Sequence, residues 1–216
     1  SGGSRGVVFE CACAMARLGV HVVITGRTPP PDPNAPWLLQ DDAAFAEFRA
    51  AELRRRRSAD PGLTPARFAA EFDLLIRQRQ LHRRLRDIET QKLPITYAVC
   101  DVTDARSVRQ VVGSTLMQRG RLDGVVHGAM LEWSKRLPGK TPEIIDQTMA
   151  VKVQGLLNLL DATTHCPLTA FVCFGSGAGR FGNRLLDVNR RRRSVDDQRE
   201  IAQRGGEQAE IGIPTA

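Results

Sequence analysis

A chain of 216 residues with 42% hydrophobic and 25% charged residues has the composition of one soluble globular domain. Its apolar runs fall short of the roughly 20 residues that a membrane-spanning helix needs, so we expect a cytoplasmic protein with no membrane partner. The net charge of +7 is spread evenly along the chain and only 5% of the residues are aromatic, so we expect no nucleic-acid partner.

Predicted helices and strands alternate from the start of the chain. Residues 7–18 predict a helix, and the β-branched run 20–25 predicts a short buried strand. Five prolines within 29–36 interrupt regular structure, and two helical segments follow. The clearer one, 65–89, carries arginines between apolar stripes formed by Phe68, Phe72, Leu74, Ile76, Leu81, Leu85 and Ile88. Residues 37–90 are therefore predicted to form an inserted helical lobe.

The alternation of strands and helices resumes after this lobe. Strands are predicted at 95–100, 122–128 and 168–174, and helices at 104–119 and from Pro142 to about residue 162, with Thr141 as N-cap. Helices of this length between strands imply parallel order. The fold class is therefore α/β, a Rossmann-type doubly wound parallel sheet with a helical insertion after the second strand. The first strand of such a sheet, which should precede the first glycines, is missing, so the run 20–25 counts as the second strand and we expect the sheet to be incomplete.

Cysteines, histidines and arginine runs suggest no additional chemistry. The five cysteines form no CxxC pair and the four histidines do not fall at metal-ligand spacings, so we expect small buried thiols and no metal site. The arginine runs 54–57 and 190–193 are interpreted as solvated helix faces. Residues 184–216 are polar and rich in charge, so this divergent tail is predicted to be an isolated helix or disordered.

Two local patterns point to a nucleotide. Residues 1–6 (SGGSRG) form a glycine-rich turn before the first helix, where the backbone can approach a diphosphate closely, although a merely structural turn is about equally compatible. Arg27 follows the strand at which a Rossmann fold meets the adenosine ribose. An acid there would bind the 2′-hydroxyl of NAD, whereas an arginine can pair with the 2′-phosphate of NADP. Arg27 therefore favours NADPH, against the alternative of an ordinary surface arginine.

Six motifs occur in an order that resembles a known family. They are GGSRG at 2–6, TGR at 25–27, CDVTD at 100–104, VHGA at 126–129, KVQG at 152–155 and FGSGAGRFGN at 174–183. Together they resemble the ketoreductase domains, of the short-chain dehydrogenase/reductase type, of polyketide and polyunsaturated fatty acid synthases. The resemblance covers residues 1–183. It implies NADPH-dependent reduction of a 3-oxoacyl group on an acyl carrier protein, with that carrier and the other synthase domains as partners.

The resemblance also implies roles for single residues. Lys152 looks like the catalytic lysine that holds the nicotinamide ribose, and Ser176 looks like the serine that hydrogen-bonds the substrate carbonyl. By themselves, both would be interpreted as surface residues, and Asp101 as a helix cap or loop residue rather than a neighbour of the adenine. The implied cofactor-binding set is Gly2, Gly3, Ser4, Arg5, Gly6, Arg27, Asp101, Val102, Gly128, Ala129 and Lys152.

The sequence departs from the family beyond Ser176. The family has a tyrosine about thirteen residues after this serine, as proton donor, and an asparagine about four further on; here these positions are Asn189 and Arg193. The only tyrosine, Tyr97, lies in a strand near the adenine end. We therefore expect a truncated, inactive ketoreductase domain, the alternative being a catalytically silent structural module of a megasynthase. A frame change, a fragment and a genuinely inactive domain would each produce the break at Asn183.

Overall fold

The computed structural model describes residues 1–131 and 140–175. Their strands are β1 (Val22–Gly26), β2 (Ile95–Val99), β3 (Gly124–His127) and β4 (Ala170–Cys173). Their helices are α1 (Gly6–Arg17), α2 (Asp42–Ala59), α3 (Pro65–Thr90), α4 (Ala105–Arg119), α5 (Pro142–Met149) and α6 (Gly155–Ala162). Ser176, Asn189, Arg193, the arginine run 190–193 and the tail predicted from residue 184 lie outside the described residues.

The strands pair in parallel, as the alternation with helices predicts. β1 runs in register with β2, and β3 runs in register with β4. Within the described part of the chain these pairs form two separate two-stranded sheets rather than one continuous sheet. Each strand is four or five residues long and shorter than predicted. Pairing hydrogen bonds nevertheless continue past the ends of β2 and β4, where the Cys100 N–H donates to the Gly26 carbonyl and the Phe174 N–H to the His127 carbonyl, both at 2.9 Å.

Residues 1–3 lie between the two sheets. The amino group of Ser1 donates to the Val126 carbonyl, and the Ser1 carbonyl accepts from the Gly128 N–H at 3.0 Å. These two bonds follow the pattern of a parallel ladder along β3. On the other side, Gly3 lies so close to β1 that an added Cβ would be 3.0 Å from the Ile24 side chain. The glycine turn therefore lies between β1 and β3.

Two apolar clusters hold helices against these sheets. The first joins α1 and the C-terminal part of α3 to β1 and β2, with Ala12, Cys13, Ala16, Ile24, Ile88 and Ile95 buried. The second joins α4 and α6 to β3, with Cys100, Val108, Val112, Val125 and Leu159 buried. Burial of these side chains, worth about 1.5–3 kcal/mol for each large aliphatic one, fixes the strand ends from which the candidate site is built.

The inserted helices α2 and α3 pack through aromatic rings. Phe45, Leu63, Phe68 and Phe72 are buried, and the Phe68 and Phe72 ring centroids lie 5.2 Å apart. Leu74 is exposed, contrary to its predicted place in an apolar stripe, although Leu81 on the same face of α3 is buried; the fold covers only the later part of that face. The division of the chain into a domain over 1–183 with a lobe over 37–90 stays a prediction.

Arg79 also departs from the sequence prediction, which placed the arginines of α3 on the faces between its apolar stripes. Its guanidinium is buried, 4.3 Å from the centroid of the Phe45 ring, and its Nη1 donates to Asp42 at 2.8 Å. A stacked, paired arginine can replace an apolar side chain between two helices. The run 54–57 does lie on a largely exposed face, where Arg55 and Arg56 donate to Glu52.

The predicted helix from Pro142 to residue 162 is interrupted by one π-helical turn, Ala150–Gln154. Thr141 is the N-cap and Pro142 the first helical residue, as predicted, but the Thr141 side chain makes no capping hydrogen bond to the backbone. Thr141 and, to a smaller extent, the backbone of Glu143 itself lower the pKa of the Glu143 carboxyl through hydrogen bonding. Single π turns often mark functional sites, and this one contains Lys152.

The cysteines are only partly buried. Cys13 and Cys100 are buried, Cys11 and Cys166 are intermediate, and Cys173 is exposed. The prediction of small buried thiols is therefore wrong for Cys173, which ends β4, a strand that within residues 1–131 and 140–175 pairs only with β3. Among the described helices, none is both long and apolar enough to cross a membrane. Residues 1–131 and 140–175 contain no group of three or more side chains suited to hold a metal ion.

The start of α4 provides a test of the local fold. Asp104 is the N-cap, and its Oδ1 accepts from the Arg106 N–H at 2.9 Å. We expect Asp104→Ala to lower the free energy of unfolding by about 0.5–2 kcal/mol, measured by chemical denaturation, and Asp104→Asn to retain most of it. Ser114→Ala on the exposed face of the same helix is the control. Equal losses for Asp104→Ala and Ser114→Ala would show that the cap contributes nothing specific.

Candidate nucleotide-binding site

Most of the predicted site residues lie at the carboxyl ends of the parallel strands. Arg27 directly follows β1, Asp101 comes two residues after β2, Gly128 directly follows β3, and Phe174 directly follows β4. Open α/β sheets bind their ligands at this edge, in the crevice where the direction of winding reverses. The structure thus brings segments that are far apart in the sequence to one edge.

The glycine turn approaches the loop after β3 more closely than a side chain would permit. Gly2 has φ of +71°, and an added Cβ would lie 2.6 Å from the Ala129 backbone nitrogen. Gly6 has φ of +62° and open space where a Cβ would be. Gly2 is thus required for the close approach, and Gly6 leaves the start of α1 open on its outer side.

The first turn of α1 is free to bind an anion. Its N-cap is Arg5, which makes no side-chain capping hydrogen bond, and the first turn contains no acidic residue. The amide groups at a helix start carry partial positive charge and lack partners within the helix. With the close backbone approach at Gly2, they form a positively polarised turn, the kind of backbone arrangement at which anions bind.

The turn also contacts the end of β1. Ser4 Oγ lies 2.9 Å from the position that a Cβ on Gly26 would take, so Gly26 allows the two segments to touch. Arg27, the next residue, is exposed, as is Arg5. Within the described residues, neither arginine has a carboxylate within 4 Å. The predicted partners of the diphosphate and of the 2′-phosphate are therefore adjacent.

Tyr97 lies on β2 beside this end of β1, as the sequence predicts. Its hydroxyl donates to the Thr28 carbonyl at 2.7 Å. Burial, with a smaller contribution from Cys100, raises the pKa of Tyr97 to about 12. The phenol is therefore protonated at neutral pH and holds the loop that follows Arg27.

Asp101 and Val102 form the loop after β2. Asp101 Oδ1 accepts from the Thr103 N–H at 2.9 Å and from the Thr103 hydroxyl at 2.7 Å, which makes Asp101 a turn residue as well as a candidate adenine partner. The Val102 side chain is buried, and its carbonyl accepts from Asn158 Nδ2 at 2.8 Å. Asp101 is not the helix cap that was considered as its alternative role, because the N-cap of α4 is Asp104.

His127 links the glycine turn to the segment that carries Lys152. The imidazole is buried, with Nδ1 2.7 Å from the Ser1 hydroxyl and Nε2 3.1 Å from the Lys152 carbonyl. Burial lowers the pKa of His127, so the neutral ring donates from Nε2 to the carbonyl and accepts at Nδ1. In the sequence His127 stands out only as part of a motif, and this linking role could not be found there because both partners are distant along the chain.

The side chain of Lys152, which belongs to the π turn, reaches the end of β4. Its Nζ donates to the Phe174 carbonyl, and the Phe174 N–H donates to the His127 carbonyl at 2.9 Å. The predicted catalytic lysine is thus held at the same edge as Gly128 and the glycine turn. Ser176 lies two residues beyond Phe174, outside the described residues.

Comparison with known proteins gives a family match over most of the chain. Residues 1–187 match the family model described as KR domain, four residues beyond the predicted limit of 183. A polyunsaturated fatty acid synthase polypeptide from a Thraustochytrium species is 29% identical over 190 residues, which cover 85% of this chain and 7% of that protein. Polyketide synthase PksL of Bacillus subtilis is 32% identical over 101 residues, which cover 47% of this chain and 2% of that protein. The chain thus spans less than a tenth of these relatives.

Solved structures share the fold. An N-terminal ketoreductase from the macrolactin assembly line aligns with a TM-score of 0.57 at 21% identity, covering 84% of this chain and 28% of that one. A short chain dehydrogenase from Burkholderia cenocepacia J2315 in complex with NADP aligns with a TM-score of 0.55 at 20% identity, covering 84% of this chain and 56% of that one. These alignments confirm the predicted Rossmann-type fold class.

Proposed function

The chain belongs to the KR (ketoreductase) domain family, and we propose that it binds NADPH at the carboxyl ends of β1 to β4. The observation that carries this proposal is the glycine turn held between β1 and β3, with an uncapped helix start on one side and Arg27 on the other. The NADP named with a short chain dehydrogenase of the same fold supports the choice of nucleotide.

The residues present fit this cofactor at three places. The amides of residues 2–6 would hold the diphosphate, Arg27 would pair with the 2′-phosphate, and Lys152 would hold the nicotinamide ribose beside Gly128 and Ala129. Asp101 and Val102 would flank the adenine. When bound, NADPH supplies a hydride.

The reaction class that we propose for the domain is reduction of a 3-oxoacyl group on an acyl carrier protein to the 3-hydroxyacyl form. Its relatives are named as polyketide and polyunsaturated fatty acid synthases, which supports an acyl carrier protein and other synthase domains as partners. Lys152 and Ser176 are the residues proposed to act on the nicotinamide ribose and on the substrate carbonyl.

We further propose that this chain itself does not complete the reduction. The family's proton-donating tyrosine is replaced by Asn189, and the asparagine beyond it by Arg193. A second function is favoured by the same observation, namely a catalytically silent module that keeps the NADP-binding fold and braces other domains of a megasynthase. The two functions share the nucleotide site and differ in whether a proton donor restores turnover.

The nucleotide site is tested by titrating the chain with NADPH and following the fluorescence of the reduced nicotinamide. We expect saturable binding with one nucleotide per chain and competition by NADP. Absence of saturable binding by a chain that unfolds cooperatively would overturn the proposed nucleotide site.

A further inference from the structure

The inserted helix α3 reaches the glycine turn through Arg84. Its Nη1 donates to the Ser4 carbonyl, and its Cζ lies 5.5 Å from the centroid of the Phe9 ring in α1. One turn further on, Ile88 is buried in the cluster that α3 shares with α1 and β1, and Leu85 packs against it. The position of Arg84 is therefore fixed by packing on the fold rather than by contacts within the insertion.

The same helix also follows the loop after β1. Gln78 Nε2 donates to the Pro29 carbonyl at 3.2 Å, and Tyr97 holds the neighbouring Thr28 from the β2 side. From Gln78 to Arg84, α3 thus lies along the two segments, the loop after Arg27 and the glycine turn, that border the proposed adenosine end of the site.

Arg84 differs in charge balance from its neighbours on α3. Arg77, Arg79 and Arg83 each have an aspartate within 2.8 to 3.1 Å. Arg84 is half-buried, and within the described residues no carboxylate lies within 4 Å of it. Burial and the nearby Arg5 lower the pKa of Arg84, and Glu10 opposes them.

Like charges that lie close together repel each other, and salt screens this repulsion less where one of them, as here Arg84, is partly buried. Ser4 connects the arginines around it: its carbonyl accepts from Arg84, its side chain touches Gly26 next to Arg27, and Arg5 is its neighbour in sequence. An anion with two negative charges, placed between the turn and the end of β1, would relieve this repulsion.

We propose that Arg84 is a specificity-determining residue that, with Arg5 and Arg27, selects a nucleotide carrying a phosphate on the 2′ position of the adenosine ribose. The inserted helix α3 thereby forms one wall of the nucleotide site. This inference rests on the proposed function and adds a residue that the glycine turn and the strand ends do not contain.

The test compares the affinities of NADPH and NADH, by fluorescence titration, for Arg84→Gln and Arg84→Lys. Glutamine keeps a donor for the Ser4 carbonyl and removes the charge, so we expect NADPH affinity to fall about fivefold to tenfold and NADH affinity less than twofold. Lysine keeps the charge and should retain most of the preference. The NADPH loss in Arg84→Gln should shrink as salt concentration rises, which a purely structural role would not produce.

Arg83→Gln is the matched control, because Arg83 is the preceding residue of α3, is exposed and bonds to Asp42; it should leave both affinities unchanged. Equal losses of NADPH and NADH in Arg84→Gln, or no loss of either, would overturn the inference while the proposed function stands. If the unchanged chain shows no preference for NADPH over NADH, both the inference and the choice of NADPH fall together.

Discussion

Replacing Arg27 with alanine is expected to weaken NADPH binding about 10- to 150-fold and to leave NADH binding nearly unchanged. The range corresponds to about 1.5–3 kcal/mol for hydrogen bonds to a charged group. Arg27 is exposed and follows the end of β1, against which the glycine turn is packed. A phosphate does not have to displace a carboxylate from Arg27, because none lies within 4 Å of it among the described residues.

The measurement is a pair of fluorescence titrations, one with NADPH and one with NADH, on the same preparation. Arg17→Ala is the matched control, because Arg17 lies in the last turn of α1, is exposed and donates to Gln91 rather than toward the site. Arg27→Ala should not change the free energy of unfolding measurably. Equal losses for NADPH and NADH would show that Arg27 does not contact the 2′-phosphate.

The parallel strands could be predicted from the sequence because each is a short apolar run between helices. β1 begins two residues later than its β-branched run, since Val20 is still exposed beyond the left-handed turn at Gly19. Strand identity depends on local composition, which the sequence contains. Strand ends depend on where the chain leaves its partner strand, and local composition does not contain that information.

The contacts that assemble the site could not be predicted, because they join distant segments. The Ser1 hydroxyl meets His127 across 126 positions, and Arg84 meets the Ser4 carbonyl across 80 positions. The π turn around Lys152 has no local sequence pattern, since a helix accommodates one extra residue wherever packing on both sides requires it. Arg79 shows the same limit, because a buried arginine is distinguished from an exposed one only by the aspartate and ring that it meets.

The motifs therefore predicted which residues lie together at one edge of the sheets better than they predicted what holds those residues in place. Gly2, Arg27, Gly128 and Lys152 lie at one edge of the sheets, as their order in the sequence implies. What holds them there is a buried histidine, an interrupted helix and an inserted helix. The histidine and the π turn overlap the motifs at 126–129 and 152–155, whereas the inserted helix belongs to none of the six. The holding role of each is recognised only from its contacts.

The chain is expected to reduce a simple cyclic ketone with NADPH about 10² to 10⁴ times more slowly than a chimera that carries a family member's sequence before residue 1 and after residue 183. Reduction of a carbonyl builds negative charge on its oxygen, and a positioned general acid is worth about this factor. Asn189 can donate a hydrogen bond through its amide but does not release a proton at neutral pH. Tyr97 cannot replace the missing acid, because its hydroxyl is bonded to the Thr28 carbonyl at the end of β1.

The measurement is NADPH consumption at saturating nucleotide, by absorbance, for the chain, for the chimera, and for the chimera with its restored tyrosine changed to phenylalanine. The phenylalanine version should lose most of the gained rate while binding NADPH as tightly as its parent, which separates proton donation from repair of the fold. Turnover by the unaltered chain at a rate near that of the chimera would mean that another residue donates the proton. It would also mean that Asn189 does not occupy the family's tyrosine position, and that the silent module is excluded as a function.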